Sequence, residues 1–270
     1  TLFESSSGGL FTEISKFILS KNGVVYGAMF DEHFNVIHSS ASSENDINKF
    51  RGSKYVQSDL KNVFQDIKHL LEDGRIVLFG GTPCQVAALY NFVGESKNLY
   101  TCDIICHGVP SPKFFDDYKN DLEKQFQSEI CDIKFRYKKP SWGLFSMKVV
   151  FNNGKEYISD LNHDPFMRGF LANYVNRPSC HACRFTNLNR QGDITIADFW
   201  GYINNNEEPL ENSENGISLL IVNNEKGLMI FKEITSQIRY ITKPLYEAIS
   251  GNRCLSNPYE KAWDRGRFWT

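Results

Sequence analysis

Short apolar runs alternate with amphipathic stretches through the first hundred residues, and this alternation restricts the fold more than any other feature. Leu10, Ile14, Phe17 and Ile18 repeat at helical spacing, and Gly23 stops that helix before an apolar run from Val24 to Phe30. A short strand is expected around Phe34 to His38. Ser43-Glu44-Asn45-Asp46 then opens a small helix with a capping-box-like pattern. Leu60, Val63, Phe64, Ile67, Leu70 and Leu71 form the apolar stripe of a further helix, which Gly74 ends. Arg75 to Phe79 and Leu99 to Ile105 read as strands, with a helix over Gln85 to Phe92 between them. Strands separated by helices of this length build a parallel or mostly parallel sheet.

The pattern changes afterwards. A helix near Phe114 to Phe126 precedes strands over Ile130–Tyr137 and Leu144–Phe151. The second strand runs through Asn152-Asn153-Gly154, a hairpin turn, into Lys155–Ile158, which indicates antiparallel pairing. Asp164 to Tyr174 reads as helix, Asp193–Phe199 and Ile217–Val222 as strands, and Asn204 to Asn215 as a polar surface loop. Two helical stretches, near Lys226–Gln237 and Pro244–Ile249, complete the chain. The expected class is α/β, mixed α+β in its second half. Residues 1–98 should carry a mostly parallel sheet with helices, and residues 99–270 a more antiparallel part bearing a Cys-x2-Cys loop, the two free to share one core.

Composition narrows the partners. Thirty basic against 32 acidic side chains leave a formal charge of -2, so nothing electrostatic favours nucleic acid or an anionic membrane. The apolar runs are far shorter than the ~20 residues of a membrane span. No export signal is visible, so a cytoplasmic setting is expected. The opening at Thr1, in a Ser/Gly-rich loop without an initiator Met, is what an excised domain with a further part upstream would show. Seven cysteines, an odd number, point to metal or redox work rather than a disulfide framework.

Cys180-His181-Ala182-Cys183 is the one C-x2-C pair, and this spacing lets two thiolates hold one centre from a single turn. It follows a helix and a proline-containing loop, unlike a thioredoxin motif. Cys84 and Cys106 each lie directly after a predicted strand, at the strand edge where ligands collect in parallel sheets. Cys102, Cys131 and Cys254 read as small apolar side chains. Spacing alone leaves an iron–sulfur cluster, zinc, and no metal all open.

Six segments occur here in one order: Ser5-Ser6-Ser7-Gly8-Gly9, Arg51-Gly52-Ser53-Lys54-Tyr55-Val56-Gln57-Ser58, Gly81-Thr82-Pro83-Cys84-Gln85, Cys106-His107-Gly108-Val109-Pro110-Ser111, Arg177-Pro178-Ser179-Cys180-His181-Ala182-Cys183, and Asp193-Ile194-Thr195-Ile196-Ala197-Asp198-Phe199-Trp200-Gly201. The set resembles the beta-subunit family of coenzyme F420-reducing hydrogenases and dehydrogenases, which also includes hydroxymethyl chlorophyll reductases. It is most similar to bacterial members that carry a ferredoxin domain before the catalytic part. The resemblance implies FAD, a [4Fe-4S] cluster on Cys84, Cys106, Cys180 and Cys183, and electron exchange between the two. It maps flavin contacts onto Ser6, Ser7, Gly8, Gly9, Gly52, Ser53, Lys54, Tyr55, Gln57 and Thr82.

The chemistry of these residues agrees. The Ser5–Gly9 loop precedes a helix whose positive end suits a pyrophosphate, although a plain helix cap would look the same. Arg51 and Lys54 can neutralise phosphate or a reduced flavin, or can be solvated charges. Tyr55 can pack on a flavin ring or fill the sheet. Asp193 and Asp198 lie five residues apart on a strand, hence on opposite faces, and Asp198 beside Trp200 is the better catalytic candidate together with Lys54. The expected activity is an FAD- and [4Fe-4S]-dependent oxidoreductase acting on a ferredoxin, a deazaflavin or a small organic acceptor. Alternatives are a zinc-stapled binding module without redox activity and, less favoured, a cysteine hydrolase using Cys106 with His107.

Overall fold

The computed structural model describes residues 2–202 and 213–269. The chain runs through α1 (Leu10–Ser20), β1 (Val24–Phe30), β2 (Val36–Ala41), α2 (Glu44–Ile47), α3 (Val63–Glu72), β3 (Val77–Gly81), α4 (Pro83–Val93) and β4 (Leu99–Ile104). It continues with α5 (Pro112–Phe126), β5 (Ile130–Tyr137), β6 (Ser146–Phe151), β7 (Glu156–Asp160), α6 (Pro165–Leu171), β8 (Ile194–Asp198), β9 (Ser218–Val222), α7 (Glu225–Ile234), α8 (Leu245–Gly251) and α9 (Arg265–Phe268). Most of the polar loop expected over Asn204–Asn215 lies outside the described residues.

Two sheets result, and the mixed α/β class is as expected. The larger has the order β2-β1-β3-β4-β8-β9, with β1, β3, β4 and β8 parallel and the antiparallel β2 and β9 at its edges. The smaller is the antiparallel set β5-β6-β7. The position 98/99 falls immediately before β4, whose Leu99 stands opposite Val77 of β3. Strands from both sides of that position therefore share the larger sheet.

Helices cover both faces of this sheet because its parallel strands are apolar on both faces. Ile14 and Ile18 of α1 and Ile230 of α7 pack with Val25, Leu78 and Ile194 on one face. Ile67 of α3 and Val86 and Leu89 of α4 pack with Val77, Phe79 and Leu99 on the other. A third, aromatic core with Phe115, Phe135, Phe151, Phe166 and Phe170 lies between the small sheet, α5 and α6.

Element ends depart from expectation where local hydrogen bonds decide. Phe34 takes φ 56 in a turn fastened by Asp31, so β2 begins at Val36. The Leu144 N–H is taken by the Ser141 hydroxyl at 3.1 Å, and β6 begins at Ser146. At the far end, Gly201 and Gly251 bring the turn after β8 against α8. A Cβ on Gly201 would stand 1.8 Å from the Glu247 carbonyl oxygen, so that approach admits only glycine.

Candidate functional site

Parallel pairing of β3 with β4 and of β4 with β8 brings the carboxyl ends of three strands to one edge. A cavity of about 1560 Å³ opens there. It is lined by Ser6, Ser7, Gly9, Gly52, Ser53, Lys54, Tyr55, Gln57, Thr82, Cys84, Cys106 and Asp198. Gly8 is the exception among the expected flavin contacts: its N–H donates to the Ser218 hydroxyl at 2.9 Å, and it borders a smaller cavity along β9.

One wall is built from the serine loop. Gly9 has φ 88, which turns the chain into α1 without a side-chain cap, so the first amides of that helix keep their donors and positive dipole end. Ser6 Oγ accepts the Ser53 N–H at 2.7 Å, tying this loop to the 51–57 segment. Lys138 donates to the carbonyls of Leu2, Ser7 and Asn215 and holds the loop from behind. Among the described residues the buried Ser7 hydroxyl has no partner. Arg51 is already paired with Glu4.

Lys54 donates to the carbonyls of Lys49 and Arg51 at 3.1 and 3.0 Å. Burial brings its ammonium down to about 7, with no carboxylate paired to it among the described residues. Asp198 is differently placed from a free base. Its Oδ2 accepts Arg136 Nη1 at 2.8 Å, and its Oδ1 accepts Trp142 Nε1 at 2.9 Å and Arg136 Nη2 at 3.4 Å. Arg136, which sequence reading passed over, also reaches the Tyr55 hydroxyl at 3.2 Å. Its isolated position on β5 carried no motif that could have flagged it.

Around the cysteines, α4 starts with a complete capping box between Thr82 and Gln85 and with Pro83 in its first turn. The Thr82 hydroxyl lies 3.1 Å from Cys84 Sγ. Gln85 in turn donates to Ser58, which meets His38 Nδ1 at 2.8 Å, and His38 Nε2 meets the Gly80 carbonyl at 2.9 Å. That carbonyl accepts, so Nε2 carries the proton and Ser58 donates to Nδ1.

Cys180 sits in a 3-10 turn spanning Pro178–Ala182, with Cys183 at its end. The turn is fastened from two sides. His181 Nδ1 donates to the Tyr259 carbonyl at 3.1 Å. Arg190 ties the segment after the turn to β4, bonding Asp103 at 2.9 Å and the carbonyls of Phe185, Asn187 and Ile104. All seven cysteines are free thiols. Burial is the main cause that raises the Cys106 and Cys180 thiols, and unfavourable charge interactions among Cys84, Cys106, Cys180 and Cys183 add to it. Cys254 is buried, as its reading as a small apolar side chain expected, and burial is the main cause that raises its thiol.

Among the described residues no three His, Cys, Asp or Glu side chains are grouped to hold a single metal ion. A zinc site needs its donors at about 2.0–2.3 Å from one centre. A cubane cluster gives each thiolate its own iron, and four thiols are a donor set such a cluster takes. The orphan Ser7 hydroxyl, the uncapped start of α1 and the carboxylate-free Lys54 fit a large anionic dinucleotide in the cavity. Cys106 and His107 are not a nucleophile–base pair, because the imidazole bonds Asn173 Oδ1 at 3.0 Å and the Phe170 backbone, and burial holds it down at about 4.

Residues 74–248 match the family model for the C terminus of the coenzyme F420 hydrogenase/dehydrogenase beta subunit. Among solved structures, the fold is similar to that of a chain in the xenon-derivatized F420-reducing [NiFe] hydrogenase complex from Methanosarcina barkeri. The two are 18% identical with a TM-score of 0.58, over 93% of this chain and 85% of that one. No curated protein matches. Among the described residues no helix is long and apolar enough to cross a membrane.

Proposed function

This chain belongs to the coenzyme F420 hydrogenase/dehydrogenase beta-subunit family, and from that we propose that it is an iron–sulfur flavoprotein oxidoreductase. In this reading it passes electrons between a [4Fe-4S] cluster and FAD, and on to a ferredoxin, a deazaflavin or a small organic acceptor. The single observation behind it is one cavity bounded by the serine loop, the 51–57 segment and the sulfur-bearing strand ends at Cys84 and Cys106. Flavin supplies two-electron storage and hydride exchange, and the cluster supplies single-electron transfer.

The chain's own residues divide the work. Ser6, Ser7, Gly9 and the first amides of α1 would cradle the pyrophosphate, with Gly52, Ser53, Gln57 and Thr82 bordering the same ligand. Lys54 Nζ would supply the positive charge facing that ligand. Cys84, Cys106, Cys180 and Cys183 would hold the cluster, with the Thr82 hydroxyl 3.1 Å from the Cys84 sulfur. A ferredoxin-type donor, separate or as a domain preceding this chain, would deliver electrons. A cytoplasmic setting, where thiols stay reduced, suits this use of cysteine.

The test is anaerobic purification with iron, sulfide, zinc and flavin quantified on one sample. One flavin and one cluster's worth of iron and sulfide per chain are expected, with absorbance that bleaches on reduction. Zinc without iron, sulfide or flavin would select the zinc-stapled binding module instead.

A further inference from the structure

Tyr55 offers more than a ring. One face of that ring already stacks on Phe170, at 4.9 Å and 27°, and Phe135 meets it edge-on at 5.7 Å. The residue lines the cavity, as does Arg136, and its hydroxyl has one partner among the described residues, Arg136 Nη1 at 3.2 Å. A guanidinium only donates. The phenol oxygen is therefore the acceptor in that bond, and its own proton is left without a protein acceptor.

Arg136 is held firmly in this role. Its side chain is 2% exposed, bonded by Nη1 and Nη2 to Asp198 and by Nη2 to the Ser6 and Trp142 carbonyls, both at 3.5 Å. The guanidinium carbon lies 4.1 Å from the centre of the Phe145 ring and 5.1 Å from that of Trp200, which stacks on Trp142 at 4.6 Å. Such packing fixes where a planar donor points. A phenol that accepts from a cation is polarised into a better donor.

We propose that Tyr55, oriented by Arg136, donates a hydrogen bond to a carbonyl oxygen of the cavity's redox ligand, one that gains negative charge when the ligand is reduced. This rests on the proposed flavin site. An isoalloxazine and a quinone- or enone-type acceptor both present such an oxygen, so the chemistry is shared and the source is decided by experiment. Tyr55 is then the residue touching the reacting ligand, while Arg136, Asp198 and Trp142 position it.

The decisive variant is Tyr55→Phe, which removes one oxygen and keeps the ring packing. In the flavin-loaded protein, the preference for reduced over oxidised FAD should fall about tenfold, the effect of a hydrogen bond to a charged group. For a two-electron couple that is a drop of about 30 mV in midpoint potential. If the donor serves the acceptor instead, flavin potential stays put and affinity for a naphthoquinone, measured by calorimetric titration, falls by a similar factor. Arg136→Lys, which keeps a positive charge but loses the fork, should shift the same quantity in the same direction even if its melting temperature drops. Unchanged flavin potential and unchanged quinone affinity in Tyr55→Phe overturn the assignment. Wild-type protein that binds the quinone but no FAD overturns the proposed function and leaves the quinone comparison to judge Tyr55; one that binds neither overturns both.

Discussion

Lys54 and His38 are both bases lowered by burial, and they differ in the pH window over which that shows. Lys54 falls from 10.5 to about 7. Between those values the unfolded chain binds a proton that the folded chain does not, so stability should rise with pH from about 7 towards 10.5. Lys54→Met should abolish that rise, read as the difference in urea midpoint between variant and wild type at pH 7 and pH 10. A bound anionic ligand should abolish it too, by giving the ammonium a counter-charge. His38 falls from 6.5 to about 4, mainly through desolvation. Here the unfolded chain gains the proton first, so stability should be lost as pH drops from 6.5 towards 4, and His38→Gln should flatten that loss in the same assay. Among the sulfurs, Cys84→Ala should release iron while Cys254→Ala retains it; iron counted per chain decides, and the opposite pattern would make Cys254 the ligand. The place of Cys84 at the cavity was legible because its position after a strand, in the first turn of a proline-started helix, is a local pattern. Cys254 is buried, as its reading as a small apolar side chain expected.

At the scale of elements, the turn bearing Cys180 and Cys183 depends on a bond the motif does not contain. Asp103 is fully buried on β4 and accepts from Arg190, from the amides of Gln191 and Gly192, and from the Thr195 hydroxyl at 2.6 Å. Removing the guanidinium would leave that carboxylate buried and uncompensated. Arg190→Met should therefore cost about 3–5 kcal/mol in urea unfolding, and it should also loosen iron, because the segment after Cys183 loses its tie to β4. Helix α3 illustrates the opposite case. Its stripe Val63, Phe64, Ile67, Leu70 and Leu71 was readable as written, because helical periodicity is a relation among residues a few positions apart. The start of β6 was missed since a single serine hydroxyl, Ser141, takes the Leu144 amide out of the strand ladder.

For the whole molecule, the larger sheet takes β1, β2 and β3 from the N-terminal part and β4, β8 and β9 from the C-terminal part. Scanning calorimetry should accordingly give one cooperative transition, and two separate transitions would argue for independent units meeting near 98/99. The sequence by itself determined the alternation of strand and helix, the parallel sheet with its edge of strand ends, and the six segments that carry the family resemblance. All of these are written in neighbouring residues, through side-chain periodicity and turn chemistry. Only the tertiary structure decided that Asp198 is the partner of Arg136 rather than a free base, that Tyr55 keeps an uncommitted proton, and that Gly8 faces β9. Those outcomes depend on contacts between residues 62 to 210 positions apart, where pairing is settled by which surfaces the packed helices and sheets leave for one another and by the high cost of an unpaired buried polar group.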